Sequence, residues 1–178
     1  MQEATLTQTA CGLVPQGEGW FILNLGDAAW ERLPDNGAWC SLGARDAPFE
    51  QFGIGPHILM PGEPSAMYHE ESDQEGFLVL DGECLAIVEG EERLMRRWDY
   101  LHCPPGTRHI TVGAGDGPCV ILMVGARSPG QSTVYPVEPA AAPYGASVAR
   151  ETTSAAEAYA DRRGPVSPVA APWPLEPA

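Results

Sequence analysis

Lysine is missing from this sequence: all ten of its basic residues are arginine, set against 24 acidic ones for a net charge of −14. Without lysine there can be no Schiff base, no P-loop ammonium and no pyridoxal anchor. A field this negative repels nucleic-acid backbone and anionic membrane, so neither is an expected partner. Long apolar runs are lacking too. The longest, Cys119 to Val124, is far too short to cross a bilayer, and Met1-Gln-Glu-Ala has neither the basic start nor the apolar stretch of a secretory signal. A cytoplasmic location is the expectation. The five cysteines are widely spaced with no C-x-x-C, which fits reduced, buried thiols better than a disulfide framework or a zinc-thiolate centre.

What is present is β-forming sequence. A chain of 178 residues, 44% of them hydrophobic, suffices for one real core. Between about Gly19 and Arg127, short β-rich runs alternate with Gly, Pro, Asp and Asn, and no strong helical period appears. Strand length and composition fit Trp20–Leu25, Gly53–Met60, Phe77–Leu80, Glu83–Val88, Arg93–Trp98, Arg108–Val112 and Cys119–Val124. Asp81-Gly82 and Glu89-Gly90 supply the positive φ of tight hairpins, predicting consecutive antiparallel strands. Phe77–Leu80 and Cys119–Val124 are apolar on both alternating faces. One face should line a barrel and the other be covered by a second sheet, the N-terminal segment or a partner subunit; a homodimer is the expectation.

The last 51 residues hold nine of the 18 prolines and twelve alanines. The chain therefore divides into an N-terminal β extension over 1–50 that packs on the barrel, a barrel core over 51–127 and a Pro/Ala-rich tail over 128–178. The tail's one ordered candidate is a short helix near 153–162, with Ser154 and Glu157 as a capping box and Arg162-Arg163-Gly164 as the stop. The closing Pro168-Val-Ala-Ala-Pro-Trp-Pro reads as extended chain.

Two segments concentrate ligand-type side chains. In Met67-Tyr-His69-Glu-Glu71-Ser-Asp-Gln-Glu75, His69 and Glu71 leave one face of an extended strand, and Glu75 returns at the head of the next. In Pro104-Pro-Gly106-Thr-Arg-His109, a turn sets His109 at the start of another strand. Taken alone, the first run would be a solvated acidic loop. His57 and His102 lie on strands without partner spacing, and His102 is a candidate proton carrier near the site.

At these residues the sequence resembles the cupin superfamily. The first motif stands here as His69-x-Glu71, three residues, Glu75, six residues, Gly82, and the second, Pro-x-Gly-x-x-His, as Pro104 to His109. The likeness runs roughly from Phe52 to Gly125. It implies an all-β double-stranded β-helix, the small jelly roll, holding one divalent metal inside through His69, Glu71, Glu75 and His109. That donor set suits Fe, Mn, Ni or Zn and disfavours Cu(I). Two positions depart from the family: Glu71 replaces its second His, and Trp98 its second-motif Gly. Counting from Gly62 also admits a register in which Tyr68 and Glu70, rather than His69 and Glu71, face the interior. Tyr68, Phe77, Val79 and His102 are the pocket-lining candidates. The resemblance implies a metal-dependent enzyme of dioxygenase, isomerase or lyase type acting on a small polar molecule, or a non-catalytic ligand-binding, sensor or assembly module. The 2-oxoglutarate oxygenases, which share this barrel, are disfavoured because no Arg or Lys lies between Thr111 and Ala126.

Overall fold

The structure is a computed structural model describing residues 2–44, 46–162 and 164–172. Two sheets face each other. The larger runs, in spatial order, β10 (Tyr100–Cys103), β7 (Glu75–Asp81), β12 (Cys119–Ala126), β5 (Phe52–Leu59), β4 (Ala38–Trp39), β3 (Trp30–Arg32) and β14 (Ser167–Val169). The smaller contains β11 (His109–Ala114), β8 (Glu83–Val88) and β9 (Glu91–Arg96). Two short antiparallel pairs complete the fold, β1 (Thr5–Thr9) with β2 (Gly12–Gln16), and β6 (Glu70–Glu71) with β13 (Thr133–Val134). This is the all-β jelly roll that the motifs imply.

The period-2 pattern sorts side chains between two cores. Leu59, Phe77, Val79 and Ile121 from the larger sheet meet Cys84, Ala86 and Met95 from the smaller one, filling the barrel. On the other face of the larger sheet, Trp30, Ala38, Ile58, Val120 and Leu80 are covered by Leu23, Leu25 and Ala28. The N-terminal segment thus covers the second apolar face within one chain, and that face supplies no argument for a partner subunit.

Several strands lie where expected, whereas Trp20–Leu25 does not form one. It is irregular between an isolated bridge, Glu3 to Trp20, and a turn at Asn24–Asp27, because its leucines insert as packing onto the larger sheet. The hairpin at Glu89-Gly90 forms, joining β8 to β9 with both turn residues at positive φ. The one at Asp81-Gly82 does not. β7 pairs with β10 and β12 while β8 pairs with β9 and β11, so Gly82, at φ 69°, turns the chain from one sheet into the other. A Cβ there would sit 2.3 Å from the Pro118 carbonyl oxygen. A left-handed glycine serves a corner as well as a reversal.

The tail helix is one turn, α1 (Ala155–Ala158), shorter than the sequence suggests; the Ser154 hydroxyl accepts from the Glu157 amide. Arg163 and the stretch from Trp173 to the end lie outside the described residues. Among the described residues no helix is long and apolar enough to cross a membrane.

Candidate metal centre

The two histidine motifs meet through the backbone. The His69 amide donates to the His109 carbonyl at 3.1 Å and the His109 amide to the His69 carbonyl at 2.8 Å, so the two residues lie directly opposite and send their rings to one face. The Pro104–Thr107 turn locks this register, because the Gly106 amide donates to the Glu71 carbonyl at 2.7 Å. Glu75, first residue of β7, arrives from the facing sheet. The ligand atoms of His69, Glu75 and His109 all fall within 4.8 Å of one another.

Each imidazole is held by its far nitrogen. His69 Nδ1 donates to the Met67 carbonyl at 2.7 Å and His109 Nδ1 to the Thr107 carbonyl at 3.0 Å. This leaves both Nε2 atoms turned toward Glu75, at 3.9 and 3.2 Å from its Oε2. His109 Nε2 is fully buried and, despite that distance, makes no aligned hydrogen bond. A carbonyl on one ring nitrogen and an uncommitted lone pair on the other is how metal-binding histidines are commonly oriented. The residues therefore fit a metal ion. Without one, burial and the neighbouring His109 push His69 below its ordinary pKa. On His109 burial acts in the same direction, but the Cys103 and Glu75 side chains outweigh it and raise the pKa to about 10.

The register alternative is resolved in favour of His69. Tyr68, 1% exposed, points the opposite way into a cluster with Ile87, Ile110 and Val112, and its hydroxyl meets the Gly90 amide and the Arg108 carbonyl. It does not line the pocket. Glu70 is likewise turned outward, accepting from Arg108 Nε at 2.8 Å. Glu71 shares the inner side with His69 but stands outside the three-residue group, its carboxylate taken by Gln131. Burial and the adjacent Glu75 raise its pKa. Phe77 lies against the site, its ring 5.0 Å from that of His109, whereas Val79 sits one step deeper in the barrel core. His102 is exposed on a face of β10 opposite the buried Cys103, outside the three-residue group, and borders with Glu75 a separate surface cavity.

Several contributors are invisible to motif spacing. Tyr135 is 8% exposed, with its ring 6.1 Å from that of His69 and burial pushing its phenol up to about 12. With Gln131 it makes a wall from a segment that composition marks only as tail, placed there because β13 pairs with β6. His57 lines a cavity of about 470 Å³ shared with Glu71, Glu75, Gln131 and Arg127. It stacks on Trp39, 6.3 Å between centroids, and its Nδ1 has no partner among the described residues. Burial lowers its pKa to about 4. Gly53 and Gly55 of β5 and Gly125 of β12 line this cavity on the face they share with Glu75 and Phe77, and at Gly55 the Cys40 carbonyl oxygen sits 2.6 Å from where a Cβ would stand.

Residues 57–125 match the family described as a cupin domain. Among solved structures, the chain is similar to a polyketide cyclase, RemF, from Streptomyces resistomycificus (16% identity, TM-score 0.54, covering 62% of this chain and 81% of that one). It is also similar to a sugar phosphate isomerase of the cupin superfamily from Silicibacter pomeroyi (26% identity, TM-score 0.49, 56% of this chain and 64% of that one). A third similarity is to a putative sugar phosphate isomerase from Acidithiobacillus ferrooxidans (22% identity, TM-score 0.47, 57% and 65%). The match spans less than two thirds of the length of the two isomerase chains. No curated protein gives a significant match. The likeness to the cupin superfamily thus rests on the match of residues 57–125 to the cupin domain.

Proposed function

We propose that this protein binds one divalent cation through His69 Nε2, His109 Nε2 and a Glu75 carboxylate oxygen, and acts on a small polar molecule that enters by the cavity lined by His57, Glu71 and Glu75. The observation that carries this reading is the orientation of the two imidazoles. Both are fixed by carbonyls at Nδ1 and aim Nε2 at the same carboxylate oxygen, and one of those nitrogens is buried without a hydrogen bond. Two imidazoles and one carboxylate suit iron, manganese, nickel or zinc, and a three-residue set leaves coordination positions for water and substrate. A bound ion would supply Lewis-acid polarisation of a substrate oxygen. The chain's own residues contribute an apolar wall from Phe77, a phenol from Tyr135 and a hydrogen-bonding imidazole, His57, across the cavity.

A second reading, a metal-dependent binding module without turnover, is supported by Glu71. Its carboxylate is engaged by Gln131 and so is not poised as a free acid or base. Elemental analysis of tag-free protein beside a His69→Ala/His109→Ala double variant tests the site. Near-stoichiometric metal, absent from the variant, is expected; a wild-type protein that stays metal-free after reconstitution would sink the coordination argument. Turnover across candidate polar substrates that disappears in His109→Ala favours the enzyme, and tight metal binding without turnover favours the module.

A further inference from the structure

On the metal-binding reading above, we propose that Tyr159 is a positioning residue for His69, and that the docked tail and a bound metal ion therefore stabilise each other. The relay runs through one peptide unit. His69 Nδ1 donates to the Met67 carbonyl at 2.7 Å, and the amide of the same peptide unit, on Tyr68, donates to the Ala146 carbonyl at 2.7 Å. Hydrogen bonds chained in this way polarise and align one another. One residue earlier, the Met67 amide donates to the Tyr159 hydroxyl at 3.1 Å, and the Met67 sulfur lies 3.2 Å from Arg162 Nε. Ala146, Tyr159 and Arg162 all belong to the tail, so the segment that fixes the His69 ring is itself fixed from outside the barrel.

The two imidazoles differ in this respect. His109 Nδ1 donates to the Thr107 carbonyl, and the amide of that peptide unit, on Arg108, donates to Glu89 Oε1 at 2.8 Å, a residue of the hairpin between β8 and β9. The His109 anchor is thus complete within the barrel. The His69 anchor is not. Loosening the tail should free the His69 ring and leave His109 as it was.

Packing supports the same connection. Met67 is buried in a small cluster with Tyr135 and Ala158, against which Tyr159, at the end of α1, also packs. The Tyr159 ring meets Tyr135 edge-on at 6.0 Å, and Tyr135 lies 6.1 Å from His69, so aromatic contacts run unbroken from the tail to the candidate ligand. Groups that orient a ligating imidazole commonly change metal affinity by about 10- to 100-fold. If the docked tail strengthens metal binding through His69, reciprocity requires the metal to strengthen tail docking by the same factor.

The test is Tyr159→Phe, which keeps the ring and removes the hydroxyl that the Met67 amide needs. In the metal-free protein at about pH 8, nitrogen NMR of the imidazoles should show His69 as the Nδ1–H tautomer in the wild type and as a mixture in the variant. Zinc affinity, measured by chelator competition, should fall about tenfold. Ile58→Val, which removes one methylene from the outer core, should leave both tautomer and affinity unchanged. Zinc should also slow proteolysis of the wild type within residues 145–162 about tenfold, with the barrel intact. A His69 tautomer that is the same in Tyr159→Phe overturns the positioning role whether or not metal binds. Zinc affinity unchanged by the variant, or tail cleavage indifferent to zinc, overturns the mutual stabilisation. A wild-type protein that binds no zinc yet shows the tautomer shift upholds the positioning role and defeats the metal reading, which keeps the two failures apart.

Discussion

His109 Nε2 stands 3.2 Å from Glu75 Oε2 without an aligned hydrogen bond, while the Thr107 carbonyl fixes the opposite nitrogen of the same ring. The two atoms come from facing sheets, so the barrel itself sets their distance. Glu75→Gln keeps the shape and removes the anionic donor. It should weaken metal binding by about 100-fold or more, with thermal stability of the metal-free protein little changed, whereas Glu71→Gln should cost about tenfold at most. Competition titration with a chromogenic chelator measures both, and equal losses would place Glu71 among the ligands.

His57 carries a pH dependence of stability. Its folded pKa is lowered to about 4 by burial, against an ordinary 6.5. Between those values the unfolded chain takes up a proton that the folded one refuses. Stability is therefore lost as pH falls from about 6.5 toward 4, and rises with pH over the same window. The contribution is about 1–3 kcal/mol, toward the lower end because the ring borders a cavity that admits water. Urea denaturation at pH 7 and pH 4.5 should show the difference between the two pH values shrinking by that amount in His57→Leu. An unchanged difference would assign the acid sensitivity to other groups.

Trp98 occupies the second-motif position where the family has glycine, and it adopts φ 77°. A left-handed conformation costs a non-glycine residue about 1–2 kcal/mol, partly offset here by Arg97 over the indole ring at 5.2 Å. Trp98→Gly should stabilise the monomeric fold by about 0.5–1 kcal/mol, and Trp98→Ala, which keeps the strained backbone, should not. Chemical denaturation of both variants checks this. Stabilisation by alanine as well would mean that the exposed ring, not the backbone, was the source of the cost.

Arg162 ties the tail to the rest of the molecule. Its guanidinium donates to Asn36 Oδ1, to the Asp35 carbonyl at 3.2 Å and to the Gly145 carbonyl at 2.9 Å, and Nε lies 3.2 Å from the Met67 sulfur. Arg162→Met should cost about 1–3 kcal/mol, since it leaves the side-chain oxygen of the buried Asn36 unpaired. Limited proteolysis should then cut the variant within residues 145–162 before the barrel. Cleavage that begins in the barrel would show that the tail is held by other contacts.

Much of this protein was legible in one dimension. Alternating apolar residues and left-handed Gly positions determined an all-β chain, and the two spaced motifs, through the family resemblance they carry, marked Glu75 and His109 as ligand candidates at strand starts, because strand periodicity and turn chemistry are local. The register at His69 rather than Tyr68 was decided only by the cross-strand pairing of His69 with His109, a contact between residues forty positions apart. Tertiary structure likewise set the Glu71 carboxylate against Gln131, apart from the His69, Glu75 and His109 cluster, and brought in Tyr135 and His57. It turned Asp81-Gly82 from a hairpin into a corner and covered the second face of the large sheet with the chain's own N-terminal segment. Those outcomes depend on which distant segment wins a shared surface, and that competition of packing energies leaves no trace in the spacing of the residues concerned.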